Sequence, residues 1–247
     1  MTGRAKRAIV PSLAAAAVAA VAWLAVRPIV SAPPPAAGGH FLAAGAVDVG
    51  ALLPPPPAGD SIPGRADLEA VRQAQAWRTP AQVGWAKRIA DGDVFDFGDV
   101  LGPWFSARNL PETQRFVELV EDDVRGVVGI AKDAFGRPRP PKLDPEIRPC
   151  VHLPSGGAYP SGHAAAIYAR AELLARLLPE RREALFAWAD RAAWGRVLGG
   201  VHYPTDLEAG RVLAHAVVAA MADNVAFRAG LERCRAEIAP FVAKNAA

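Results

Sequence analysis

The run PETQRFVELVEDDVRGVVGIAKDA, residues 111–134, decides the fold class. Phe116, Leu119, Val120, Val124, Val127, Val128 and Ala131 recur at three- and four-residue steps, which lines one face of a helix with 3.6 residues per turn. Three more stretches read the same way. Ser161 opens one that contains Ile167, Leu173, Leu174, Leu177 and Leu178, and Pro179 stops it. Glu183–Leu198 is the next, ending at Gly199-Gly200. Pro204 opens a fourth that runs through Val212 and Val217 to the region of Ala222. Alternating β-branched runs between turn pairs are absent from the sequence. The pattern from Asp67 onward therefore predicts an all-α helical bundle.

Upstream of the bundle the chain changes character. Residues 1–32 carry Arg4, Lys6, Arg7 and Arg27 and no acid, and Ala8–Val26 is free of charge. A basic start, an apolar run and the small residues Val30-Ser31-Ala32 read as an export signal. The run is also long enough for a retained anchor, at about 1.5 Å per residue against a bilayer core of roughly 30 Å. Both readings put the remainder outside the cytoplasm, periplasmic or secreted in the first case and membrane-anchored in the second. A second uninterrupted apolar stretch of that length does not occur, which argues against a multi-span protein. Residues 33–66 are rich in Pro, Gly and Ala, with Pro54-Pro55-Pro56-Pro57 held extended. A linker would look like this, but Leu52 and Leu53 suggest that the segment packs onto the domain that follows, residues 67–247.

Composition excludes several classes. Hydrophobic residues make up 51% of the 247, which is too many for a disordered chain. The net charge is +3, but removing the four N-terminal bases from the total of 28 leaves 24 against 25 acids. A nucleic-acid binder would need a basic surface that survives this subtraction. The two cysteines, Cys150 and Cys234, form no CxxC, which excludes zinc ribbons and thioredoxin-like chemistry. A disulfide between them and two separate thiols both remain open.

Three clusters carry chemistry. Lys132 closes a helix, and Arg139 follows between Pro138 and Pro140, although a solvated basic helix end would look similar. Pro160-Ser161-Gly162-His163 opens a helix. Ser161 is a good N-cap, Gly162 lets an anion approach the backbone, and the free N–H groups and helix dipole favour one. Arg196, His202 and Asp206 form the third. The four-residue step from His202 to Asp206 can bring a carboxylate to one imidazole nitrogen and free the other to attack. Three cations, an anion-binding helix start and two histidines in different surroundings are what phosphoryl transfer requires.

This ordered set resembles the phosphatidic acid phosphatase type 2 superfamily, whose pattern is KxxxxxxRP, then PSGH, then SRxxxxxHxxxD. Lys132…Arg139-Pro140, Pro160–His163 and Arg196…His202…Asp206 match it, while Gly195 stands where the pattern has Ser. Within the superfamily the export segment, the Leu52–Ala58 stretch and the lack of multiple spans resemble the bacterial class A non-specific acid phosphatases. The resemblance implies a helical bundle of the phosphatase/haloperoxidase type and hydrolysis of phosphate monoesters without metal or cofactor. It implies that His202 is the nucleophile that becomes a phosphohistidine, that Asp206 orients it, and that His163 is the general acid. It implies further that Lys132, Arg139 and Arg196, with backbone N–H groups of Ser161 and Gly162, bind phosphate. Its partners would be small phosphomonoesters, with a membrane only if the N-terminal segment is retained, and a homo-oligomer is left open.

An unperturbed histidine titrates at about 6.5, so a donating His163 predicts activity favoured by mildly acid conditions. The direction for His202 stays open, since cations push it down and Asp206 pushes it up. His40, His152 and His215 are expected to be structural or surface residues, and Trp104, Phe105 and Tyr159 are candidates for shaping the pocket. The alternatives are a vanadium-dependent haloperoxidase, a membrane-anchored lipid phosphatase, and a non-catalytic phosphate-binding protein.

Overall fold

The fold, taken from a computed structural model, is described for residues 39–245. Residues 1–32, expected to be an export signal or anchor, and the first residues of the Pro-rich stretch lie outside that range. Ten α-helices follow in order: α1 (Val49–Leu52), α2 (Ile62–Trp77), α3 (Pro80–Ala90), α4 (Gly98–Leu101), α5 (Pro111–Phe135), α6 (Pro140–Leu143), α7 (Gly162–Leu177), α8 (Arg182–Leu198), α9 (Pro204–Ala220) and α10 (Val225–Asn245). Among the described residues there is no strand, so the all-α expectation holds.

Local chemistry sets the helix ends. Ser61 accepts the Gly64 N–H to start α2, and Thr79 and Gln82 exchange hydrogen bonds in a capping box at α3. The α5 helix begins at Pro111, and its early N–H groups at Glu112 and Thr113 donate to Glu237 of α10, at 2.9 and 2.8 Å. It stops at Gly136, whose φ of 56° is left-handed and whose N–H donates to Lys132 O. Gly200 does the same work after α8, with φ at 76°. The 66/67 division drawn from composition falls inside α2, which starts at Ile62 behind its serine cap.

The centre of the bundle is α7, which packs on α9, α8 and α5. Small residues let it sit there: Ala164, Ala165, Ala169 and Ala171 are fully buried, alongside Leu173 and Leu174. The approach of α9 is closest at Gly210, where an added Cβ would lie 2.7 Å from Ser161 O and 3.0 Å from Ala164 Cβ. The start of the described chain is clasped to α5. Buried Asp123 accepts the N–H groups of His40, Phe41 and Leu42 at 2.6, 2.8 and 3.0 Å. Leu53 is buried, and Tyr159 Oη donates to Pro54 O at 2.8 Å.

The two cysteines are unbonded, with Cys234 buried and Cys150 half-buried. Among the described residues no single helix is long and apolar enough to cross a membrane. Because Gly210 has no room for a side chain, Gly210→Ala is expected to destabilise the fold by about 1–3 kcal/mol. Thermal melting should show this as a drop of roughly 2–4 °C per kcal/mol; an unchanged melting temperature would mean that the two helices are free to part.

Candidate active site

Four helix ends meet at the site. The end of α5 and the loop after it bring Lys132, Arg137 and Arg139; the start of α7 brings Ser161, Gly162 and His163. The end of α8 brings Arg196, and the turn into α9 brings His202 and Asp206. The sequence-predicted residues therefore come together. Ser161 N–H donates to Asp206 O at 2.9 Å, Arg139 NH1 lies 3.0 Å from His202 Nε2, and Lys132 Nζ and Arg139 NH2 both donate to Gly157 O.

The imidazole of His202 is 1% exposed and Asp206 is fully buried. Asp206 Oδ2 lies 3.1 Å from His202 Nδ1 and accepts the Tyr203 N–H at 2.9 Å. Arg139 can only donate, so His202 Nε2 accepts from it and the ring proton sits on Nδ1, facing the carboxylate. The tautomer is thereby assigned by partners on both sides. Burial first, then Arg139, Lys132 and Arg196, hold the His202 ring well below its ordinary pKa, which answers the direction left open by the sequence: it is neutral.

The start of α7 differs from expectation in one respect. Ser161 caps the helix, its Oγ accepting from Ala164 N–H at 3.3 Å. Its own N–H is committed to Asp206 O. Helix geometry then leaves the N–H groups of Gly162 and His163, not that of Ser161, to face an anion.

His163 Nε2–H donates to Ala90 O, at the end of α3, at 3.2 Å. The expectation of an ordinary imidazole here does not hold. Burial, with Arg196 and His202 adding to it, pushes His163 down to about 3, against the opposing effect of the Ala90 carbonyl.

The cations are crowded. Burial and Arg139 push Lys132 down to about 8. Arg196 is 1% exposed, and burial and Arg139 lower it to about 10. Among the described residues its Nε and NH1 have no hydrogen-bond partner. Gly195 plays no part in this cradle: a Cβ there would touch Trp85 and Ile89 of α3, at 3.6 and 3.7 Å.

Sequence reading missed Arg137 and Asp67. Both are buried, and Arg137 spans from Asp206 Oδ1 at 2.6 Å to Asp67 Oδ2 at 2.7 Å. The signal was present in Gly136-Arg137-Pro138-Arg139, where two arginines two apart in a stiff segment invite separate partners. Asp67, far away in sequence, carried none. Of the other candidates, Trp104 stacks on Phe241, Phe105 packs on Phe95, and Tyr159 packs on Phe135 beside the site loop. His40, His152 and His215 lie at the surface. Among the described residues no group of three or more His, Cys, Asp or Glu side chains could hold a metal ion.

A non-specific acid phosphatase of Providencia stuartii is 28% identical over 204 residues, covering 78% of this chain and 82% of its own length. One from Salmonella typhi is 29% identical over 197 residues, covering 75% and 78%. Among solved structures, a bacterial vanadium-dependent iodoperoxidase shares the fold, with a TM-score of 0.54 and 16% identity over 70% of this chain and 52% of that one. The PAP2 superfamily model matches residues 124–228, the segment holding every predicted site residue from Lys132 to Asp206. Over that segment the chain is similar to the PAP2 superfamily and, at moderate identity, to the non-specific acid phosphatases.

Proposed function

We propose that the protein hydrolyses phosphate monoesters through a phosphohistidine on His202, with no metal ion, as an exported acid phosphatase. The observation that carries this reading is Arg196, a buried guanidinium with two N–H groups unpartnered beside a neutral imidazole. A buried charge without partners is costly, and evolution keeps one where a ligand supplies the counter-charge.

The steps follow from the tautomer. His202 Nε2 attacks phosphorus in line. The bond to the leaving oxygen breaks, its electron pair stays on that oxygen, and the oxygen takes, by way of His163, the proton that the substrate monoanion brought. The phosphorylated ring is cationic with its proton still on Nδ1, and Asp206 stabilises it. His163 then takes a proton from water, the water oxygen attacks phosphorus, and the P–N pair returns to Nε2. Lys132, Arg139, Arg196 and the N–H groups of Gly162 and His163 hold the equatorial oxygens throughout. The basic, apolar and small-residue pattern of residues 1–32 supports export.

Replacing the nucleophile, His202→Ala, is expected to abolish turnover of an aryl phosphate, and quenching the parent enzyme with labelled substrate should trap acid-labile, base-stable phosphate on the protein. Activity in the variant at the parent rate would end this mechanism. Chelator should leave the parent rate unchanged.

The pH dependence has an unusual origin. The chain alone leaves His163 neutral above about pH 3, so the proton for the leaving group arrives with the substrate monoanion, or equivalently on His163 once the phosphate charge is beside it. Phosphate monoesters lose that proton near pH 6. The alkaline limb of kcat/KM should therefore track the substrate's second pKa across a leaving-group series. A limb fixed at one pH for all substrates would assign it to an enzyme group instead.

Arg196→Met removes an uncompensated buried charge. Its melting temperature should equal or exceed that of the parent, while KM rises and inorganic phosphate no longer raises the melting temperature. A variant that is much less stable would show that Arg196 is a structural group.

A further inference from the structure

One buried network lies behind the proposed nucleophile and is not used by the steps above. We propose that Arg137, held by Asp67 from α2, is the positioning residue that keeps the Asp206 carboxylate aimed at His202 Nδ1, so that α2 belongs to the working site. The proposal rests on the phosphohistidine reading and assigns a role to residues on which that reading is silent.

The argument begins with what each oxygen of Asp206 touches. Oδ2 takes the Nδ1–H of His202 and the N–H of Tyr203, and Oδ1 takes NH1 of Arg137 at 2.6 Å. The carboxylate is fully buried, so its second oxygen has no recourse to solvent. Without Arg137 that oxygen would carry uncompensated charge, which a buried carboxyl relieves by taking a proton. A protonated or rotated Asp206 no longer secures the Nδ1–H tautomer, and the lone pair on Nε2 is lost with it.

Both terminal nitrogens of Arg137 are committed to this task. NH1 also donates to Thr205 Oγ1 at 2.8 Å, NH2 donates to Asp67 Oδ2 at 2.7 Å, and the guanidinium lies 4.0 Å from the centre of the Tyr203 ring. Arg196 offers unpartnered N–H groups, and Arg137 by contrast is turned inward. Two residues on, across Pro138, Arg139 reaches the opposite nitrogen of the same imidazole. The short segment Gly136–Arg139 thus brackets the His202–Asp206 pair from both ends.

Asp67 completes the frame. Its Oδ1 accepts the Thr205 N–H at 3.2 Å, an orphan donor in the first turn of α9, and its Oδ2 accepts Thr205 Oγ–H as well as Arg137. It caps the helix that carries Asp206 while neutralising the guanidinium that holds it. Asp67 lies outside the 124–228 segment, so the connection is made by the upstream part of the chain.

The charged and titratable groups around Asp206 are Arg137 and Lys132 from the end of α5, Arg139 beyond it, His202 beside it, Tyr159 before α7, Tyr203 at the start of α9, and Asp67 of α2 through Arg137. Burial raises the Asp206 carboxyl above its ordinary range, and Arg137 opposes this more than any other group. Removing Arg137 raises it further, so the acid limb of kcat should move to higher pH.

The test uses the full chain, an aryl phosphate, and Arg137→Met, Arg137→Lys and Asp67→Asn. Arg137→Met is expected to lower kcat roughly 10–100-fold, as loss of an outer partner of a working histidine does. KM should stay within about threefold of the parent, and the acid limb should rise by about one pH unit. Arg137→Lys should restore the limb but only part of kcat, because an ammonium cannot span both carboxylates. Asp67→Asn should lower kcat in the same direction by a smaller factor. Parent kcat and parent limb in Arg137→Met would overturn the proposal, as would a rise in KM with kcat unchanged, which would make Arg137 a phosphate ligand. If thermal melting shows that neither Arg137 variant folds, Asp67→Asn decides, and parent kcat there overturns it. Loss of activity in His202→Ala alongside an unaffected Arg137→Met separates failure of this inference from failure of the mechanism.

Discussion

The hydrogen bond from Ser161 N–H to Asp206 O ties the start of α7 to the first turn of α9. Each helix brings half of the site: His163 and two free N–H groups on one, Asp206 with the preceding His202 on the other. A backbone bond fixes their spacing without a side chain that could change rotamer. The contact is possible because Gly210 removes the bulk that would hold α9 away from Ser161 O. Packing, in this arrangement, sets the spacing between the two imidazoles.

Electrostatics then works against stability in the same place. Burial lowers the affinity of Lys132, Arg139 and Arg196 for protons, and Arg139 lowers that of Lys132 and Arg196 further. Backbone carbonyls absorb part of the strain. Gly156 O, Gly157 O and Val201 O accept from Arg139, and Gly157 O accepts from Lys132 as well. These oxygens fix the direction of the cations while cancelling little of their charge. Arg137 is the exception, fully matched by two carboxylates, which is why it falls on the opposite side of Asp206 from the cradle.

Much of this was legible in the chain itself. The long amphipathic stripe of α5 and the glycines after α5 and α8 follow from local rules, and the eight expected site residues stand in three short motifs whose roles the family resemblance implies. What was not legible depended on tertiary partners. The Ser161 N–H looked free because its acceptor, Asp206 O, is 45 positions away in sequence. His163 looked ordinary because neither its burial nor its proximity to Arg196 is a local property. Gly195 stands where the family pattern has Ser, and the helical phase of α8 points that position at Trp85. Asp67 sits in a helix whose pattern says only that one face is buried, and α10, with Pro240 inside it and a weak stripe, offered no clear period.

The cap that Glu237 provides for α5 bears on how such a chain matures. Ribosomes deliver a polypeptide from its N-terminus, so the helix that carries Lys132 in its last turn emerges more than a hundred residues before the carboxylate that completes its first turn. Until the final helix docks, that turn depends on water. Closure of the bundle is thereby coupled to release of the whole chain, and clipping of the C-terminal helix would act at a distance on the cation at the far end of α5.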